Sequence, residues 1–214
     1  ITEDNIEDVG FEADKQVRAS LDSFMPEYLA TRTLYNHQKA GLQWLQVNWK
    51  NGNRGVLLAD DMGLGKTVQA ITFILSNLKK DESVLITAPA SLTYNWASEF
   101  EKFTDEIDFA VIDGTKAERS KEIQEKHQIY ITSYGSFLKD FEDYQDKKLN
   151  YLLLDEAQVV KNYSSKTNKS LSALNVEHTF ALSGTPLENR IEEIWAIFQV
   201  VMPGFLPKRE KFNK

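Results

Sequence analysis

Short apolar runs recur along the chain, separated by longer stretches in which apolar residues return at helical spacing. The runs are GVLLAD (55–60), SVLITA (83–88), QIYITS (128–133), NYLLLDE (150–156) and TFALSG (179–184), with FAVIDG (109–114) as a candidate sixth. Their hydrophobicity is continuous rather than alternating, as a strand covered on both faces requires. The pattern therefore predicts an α/β fold with a mainly parallel sheet between layers of helices. Between the runs, Leu42, Leu45 and Trp49 share one face of a predicted helix over 36–50. Val68, Ile71, Ile74, Leu75 and Leu78 share a face of the next one.

Composition narrows the class without naming a function. At 214 residues, 42% hydrophobic and 27% charged, the chain is long enough for one large domain or two small ones. No apolar run approaches the ~20 residues that span a bilayer, and the acidic start ITEDNIED is unlike a signal peptide, so no membrane partner and a cytoplasmic location are expected. The absence of cysteine excludes disulfides and thiolate metal sites, and three scattered histidines argue against zinc. The net charge of −7 is concentrated at the start: residues 1–30 hold eight acidic and two basic side chains, the remainder 24 and 23. A nearly neutral body can still present one basic face, so net charge does not exclude a nucleic-acid partner.

The stretch LLADDMGLGKTVQ (57–69) carries the first chemistry. Gly65, Lys66 and Thr67 fit the end of a phosphate-binding loop, whereas the position of its first glycine holds Asp60. The loop follows an apolar strand and precedes an amphipathic helix, the context the motif needs. Gly63 and Gly65 let backbone amides converge on an anion, the helix N-terminus adds partial positive charge, Lys66 adds a full one, and Thr67 is placed to hold magnesium. Aspartate tolerates left-handed backbone, so Asp60 is expected to replace the turn glycine by adopting it. A carboxylate about 6 Å from a phosphate charge would cost roughly 3 kcal/mol at an effective dielectric near 20, so Asp60 and Asp61 should turn away or find a cation.

The run YLLLDEAQ ends a buried strand with Asp155 and Glu156. Beside a phosphate loop, Asp155 reads as a metal ligand and Glu156 as the base that orients and deprotonates an attacking water.

Six blocks in order now resemble the Swi/Snf-type ATPases, DNA translocases of helicase superfamily two, from about Leu34 to Leu206. LYNHQKAGLQWL is similar to the family's glutamine motif, which makes Gln38 the candidate adenine reader, with Tyr35 where arginine is usual. LADDMGLGKT is similar to the family's own phosphate loop, in which an acidic residue commonly precedes Met-Gly-Leu-Gly-Lys-Thr. APASLTYNWASEFEKF, ITSYGSF, LDEAQVVKN and ALSGTPLENRIEEIWAIF resemble the blocks that follow, and the DEAQ form with KN and GTPLENR resembles bacterial members. The resemblance implies a RecA-like P-loop lobe that binds ATP through Gln38, Met62, Gly63, Leu64, Gly65, Lys66, Thr67 and Val68, with Mg2+ held by Thr67 and Asp155. It assigns Gln158, Ser183 and Thr185 to coupling between nucleotide, DNA and a partner lobe.

Loops at the carboxyl ends of a parallel sheet form the usual binding crevice. Ser91, Leu92, Thr132 and Ser133 are therefore candidates for phosphate-backbone contacts to double-stranded DNA, with helix capping, Ser91 as an N-cap, as the plain alternative. Lys161 could flank the same groove, whereas Lys166 and Lys169 read as a solvated helix face. Trp96 and Trp195 read as core or interlobe packing. The expected organisation is an acidic lead-in over 1–33, the ATP-binding lobe over 34–206 and the start of a linker over 207–214. No second series of blocks follows, so the resemblance implies a first lobe, nearly inactive alone, whose partner lobe supplies an arginine. A DNA-bound protein or RNA polymerase is a further candidate partner, and a bacterial member would be nucleoid-associated. A strand-separating helicase of the same superfamily and a nucleotide-sensing module without turnover are the alternatives.

Overall fold

The computed structural model describes residues 34–103, 107–184 and 191–212. The expected lead-in over 1–33 lies outside them. Six parallel strands run β1 (Gly55–Leu58), β2 (Val84–Ala88), β3 (Phe109–Ile112), β4 (Ile129–Ser133), β5 (Tyr151–Leu154) and β6 (His178–Leu182), and stand in the order β1-β6-β5-β2-β4-β3. Every apolar run, the candidate sixth included, is thus a strand. Register follows the runs: Ile86 lies beside Ile131 on one side and Leu153 on the other.

The helices are α1 (Asn36–Lys50), α2 (Lys66–Asn77), α3 (Thr93–Phe103), α4 (Lys116–Gln124), α5 (Tyr134–Lys139), α6 (Phe141–Gln145), α7 (Lys166–Ser172), α8 (Ile191–Val201) and α9 (Arg209–Phe212). Residues of α1, α2 and α3 pack with Val56, Ile86, Ile131, Leu153 and Phe180 in one apolar cluster. Ile123, Phe137, Tyr144, Leu171 and Ile197, from helices α4 to α8, pack with Leu85, Tyr130, Leu152, Leu154 and Ala181 in a second. Adjacent strand residues such as Leu152 and Leu153 belong to opposite clusters because side chains alternate across a sheet, which is why the runs are apolar at every position. Burying each such leucine, isoleucine or phenylalanine contributes about 1.5–3 kcal/mol.

Two local devices fix where α7 and α8 stand relative to the sheet. Asn168 is buried and its side-chain amide donates to the carbonyls of Val160 (2.7 Å) and Ala196 (2.9 Å), joining α7 to the segment after β5 and to α8. Trp195 donates its indole N–H to Pro207 O at 2.8 Å, and the guanidinium of Arg209 lies 4.9 Å from the Tyr163 ring. The described part of the expected linker, up to Phe212, therefore lies against α8.

Candidate active site

All strands point the same way, so the loops that follow β1, β2, β4, β5 and β6 emerge at one edge of the sheet. The phosphate loop, the acid box and the described start of the Ser-Gly-Thr-Pro block, Ser183 and Gly184, follow strands there.

Between β1 and α2, Gly63 (φ 84°) and Gly65 (φ 78°) supply the left-handed residues of the phosphate loop. Gly65 has a second reason to be glycine: an added Cβ would lie 2.3 Å from Gln38 Nε2. Among the described residues Glu156 alone, glycines aside, has positive φ, so Asp60 does not adopt the left-handed conformation expected of it. The two glycines already make the reversal, leaving no such demand at position 60. What Asp60 and Asp61 contribute is backbone: their carbonyls accept from Lys66 Nζ at 2.7 and 2.9 Å, which holds the ammonium against the loop.

Gln38, on α1, accepts from the backbone N–H of Tyr35 at 3.0 Å and donates to Leu64 O at 3.4 Å, while His37 Nε2 lies 3.1 Å from the same carbonyl. The glutamine block is thus latched to the phosphate loop. Met62 and Leu64 are exposed. Met62 Cγ lies so close to Gly184 that an added Cβ there would sit 2.5 Å away, so the Ser-Gly-Thr-Pro block abuts the loop.

Asp155 leaves β5 buried, 7% exposed, and is gripped on four sides. Its N–H donates to Thr87 O (2.9 Å) and its carbonyl accepts from the Tyr134 hydroxyl (2.8 Å). Its Oδ2 accepts from the Trp96 indole (2.8 Å) and its Oδ1 from the Glu156 N–H (3.0 Å). Burial pushes the Asp155 carboxyl above the usual range and the Glu156 charge adds to this, against the donated hydrogen bonds and the charge of Lys66. Glu156 itself is held in left-handed backbone (φ 50°), a strained conformation of the sort functional sites retain. Gln158 donates to Glu156 Oε2 (2.7 Å) and accepts from Ser183 Oγ (2.8 Å), so a hydrogen-bonded chain runs from the acid box to the Ser-Gly-Thr-Pro block. Thr185 lies outside the described residues.

Thr67, Val68 and Asp155 line one cleft of about 370 Å3 with Leu92, Trp96 and the polar face of α3. A hydroxyl and a buried carboxylate short of positive partners are hard oxygen donors that suit Mg2+. Those residues fit the metal.

The candidate DNA contacts divide. Ser91 is exposed in a 3-10 turn (Ala90–Leu92) ahead of α3 and is not the N-cap; Leu92 is partly buried against the core. Thr132 is fully buried, because β4 continues to Ser133 and keeps residue 132 inside the sheet, so it is unavailable for a backbone contact. Ser133 caps α5, accepting from Ser136 N at 3.0 Å, the plain alternative. Lys161 pairs with Glu193 at 3.5 Å, and Lys166 and Lys169 are exposed as expected. Sequence reasoning missed Trp96 and Tyr134 as partners of Asp155; the available signal was that a buried tryptophan or tyrosine needs a hydrogen-bond partner.

The chain is similar in sequence and in fold to known proteins. The family model of the SNF2-related domain matches residues 37–214. A Mycoplasma genitalium protein described as an uncharacterized ATP-dependent helicase is 36% identical over 184 residues, covering 84% of this chain and 18% of that protein. The chromatin-remodeling ATPase INO80 of Arabidopsis thaliana is 36% identical over 197 residues, covering 85% and 13%. A solved structure of the Sulfolobus solfataricus SWI2/SNF2 ATPase core in complex with dsDNA superposes with a TM-score of 0.75 at 35% identity, covering 85% of this chain and 38% of that one. The chain therefore spans less than a quarter of the length of these two curated relatives. A parallel RecA-like sheet, a phosphate loop and an acid box at its carboxyl edge, and a family model matching most of the chain lead to one conclusion: the chain belongs to the SNF2-related domain family.

Proposed function

We propose that the chain is the nucleotide-binding lobe of a DNA-dependent ATPase that uses ATP hydrolysis to move on double-stranded DNA or to remodel protein–DNA complexes. The observation that carries this reading is the meeting of Thr67 and the buried Asp155 in one cleft, beside a phosphate loop with Lys66 at its end. The relatives' names, ATP-dependent helicase and chromatin-remodeling ATPase, and the solved neighbour's complex with dsDNA support it.

In this reading the amides of 63–67 and Lys66 bind the phosphates, and Gln38 reads the adenine from its latch on Leu64. Thr67 and Asp155 hold Mg2+, which when bound offsets charge on the phosphoryl oxygens. Glu156, oriented by Gln158, takes a proton from the attacking water at its carboxylate. Ser183 reports through Gln158 to Glu156, and Thr185 shares this coupling. Ser91, Leu92, Ser133 and Lys161 face the DNA backbone, where contacts position without reading sequence. Residues 34–206 form the lobe, 1–33 an acidic lead-in and 207–214 the start of a linker to a second RecA-like lobe.

The test separates binding from turnover in the intact protein. Lys66→Ala is expected to weaken nucleotide binding at least tenfold, and Glu156→Gln to leave binding within about threefold while slowing phosphate release about 10²-fold or more. Equal loss of binding in the two variants overturns the assigned roles.

A further inference from the structure

We propose that Trp96 is a positioning residue for the cation site: its indole N–H fixes Asp155 Oδ2, and thereby sets how tightly the site holds a divalent cation. The inference rests on the reading of Asp155 as a cation ligand and extends it to a residue outside the phosphate loop and acid box.

The geometry argues for a polar role beyond packing. Trp96 is 1% exposed and stands on α3, the helix that follows β2, whereas Asp155 leaves β5. Their contact at 2.8 Å joins residues 59 positions apart in the sequence, and it satisfies a buried N–H that would otherwise have no partner. The other carboxylate oxygen accepts from Glu156 N at 3.0 Å. Each oxygen thus has one fixed donor, and each keeps a second lone pair for a cation. The backbone on either side is pinned by Thr87 O and the Tyr134 hydroxyl, so the carboxylate cannot follow a misplaced ion by shifting the main chain. With the main chain held, the orientation of the side chain is set by the Glu156 N–H on one oxygen and by the indole on the other. Outer partners of this kind, which orient a ligating group and tune it, typically affect metal affinity or activity by about 10–100-fold when removed.

The same contact gives the site a mechanical neighbour. Leu92 ends the 3-10 turn and Trp96 stands one helical turn later, so the exposed Ser91 and the buried Asp155 are joined through the first turn of α3. Packing is a separable role of the same ring: Trp96 and Phe100 lie 6.1 Å apart, tilted by 37°, and a phenylalanine at position 96 would keep that contact while losing the donor.

The experiment measures binding rather than turnover. In the intact protein, a fluorescent ATP analogue is titrated with Mg2+ in wild type, Trp96→Phe and Asp155→Asn, with thermal unfolding run alongside. Trp96→Phe is expected to raise the Mg2+ concentration at half-saturation about tenfold or more, while analogue affinity at saturating Mg2+ stays within about threefold. A midpoint unchanged in Trp96→Phe but raised in Asp155→Asn overturns the positioning role and leaves the cation site standing. A midpoint unchanged in Asp155→Asn overturns the cation site, and this inference with it. A measurement on the unaltered side chain covers the case in which Trp96→Phe does not fold. In protein labelled with 15N-tryptophan, the indole proton displaced in Asp155→Asn is expected to move upfield as Mg2+ and the analogue are added, because a cation on the carboxylate draws electron density from Oδ2. Its midpoint should match that of binding, and an indole signal that stays still through saturation overturns the proposal.

Discussion

Two buried aspartates in this fold behave in opposite ways. Asp140, between α5 and α6, has no exposed side-chain surface, yet Arg119 reaches it through Nε (2.5 Å) and Nη2 (2.9 Å) and Lys116 lies 3.1 Å away. Burial opposes its ionisation, but the hydrogen bonds and charges of Arg119 and Lys116 outweigh burial and hold its carboxyl below the usual range. Asp155 receives neutral N–H donors instead, and the ammonium of Lys66 is turned to backbone carbonyls, so burial wins and the carboxyl is pushed up. One aspartate is neutralised within the protein and holds α4 to α5. The other is left short of positive charge, the condition for taking it from a bound cation.

The contrast breaks first at the two aspartate sites. Asp155→Asn should slow phosphate release by about 10²-fold or more while changing folding stability by about 1 kcal/mol, one lost hydrogen bond. Arg119→Ala should do the reverse, costing about 3 kcal/mol because it strands most of a buried charge, with nucleotide affinity unchanged. Chemical denaturation and nucleotide titration of both variants check the pair, and a folding loss confined to Asp155→Asn would invert the comparison.

A smaller effect sharpens the Asp140 side through pH. Its folded pKa is depressed, so the stability it contributes is fully present above the unfolded value of about 3.9 and is lost as pH falls through the folded value. The stability gap between wild type and Arg119→Ala should therefore narrow below about pH 4. Denaturation midpoints from pH 3 to pH 7, on the order of five points, would expose a gap that widens with acid and so contradicts the assignment.

The smallest expected effects test what lies near the site without belonging to it. Asp61→Asn should leave nucleotide affinity within about threefold, since Asp61 serves Lys66 through its carbonyl, which asparagine keeps. Tenfold tighter binding would place the carboxylate against the phosphates after all. Thr132→Val should leave DNA-stimulated turnover unchanged, because the side chain is inside the sheet. A loss there would restore Thr132 to the groove.

Much of this was legible in local pattern. Six apolar runs became six parallel strands because doubly covered strands leave a mark at every position. The phosphate loop, Lys66, Asp155 and Glu156 were legible because an anion cradle and a strand-end acidic pair are short-range features, set by a few consecutive residues. The misreadings have a common cause. Thr132 and Ser133 close the apolar run 128–133 and belong to the strand rather than to the loop at its carboxyl end, because pairing with β2 extends β4 through both. Asp60 stands where the motif has glycine, yet it needs no left-handed backbone because Gly63 and Gly65 make the turn.

By itself, then, the sequence determined the strands, the helix faces and the residues of the phosphate loop and acid box, since each follows from periodicity or from contiguous residues. Tertiary structure alone decided their partners. It joined Trp96 to Asp155 and Ser183 to Gln158, and gave Arg119 to Asp140. Hydrogen bonds between distant residues depend on strand order and helix placement, and no local spacing encodes that order. The two aspartates carry the same side chain, and only the neighbours that the fold brings to each one set which is neutralised within the protein and which is left short of positive charge.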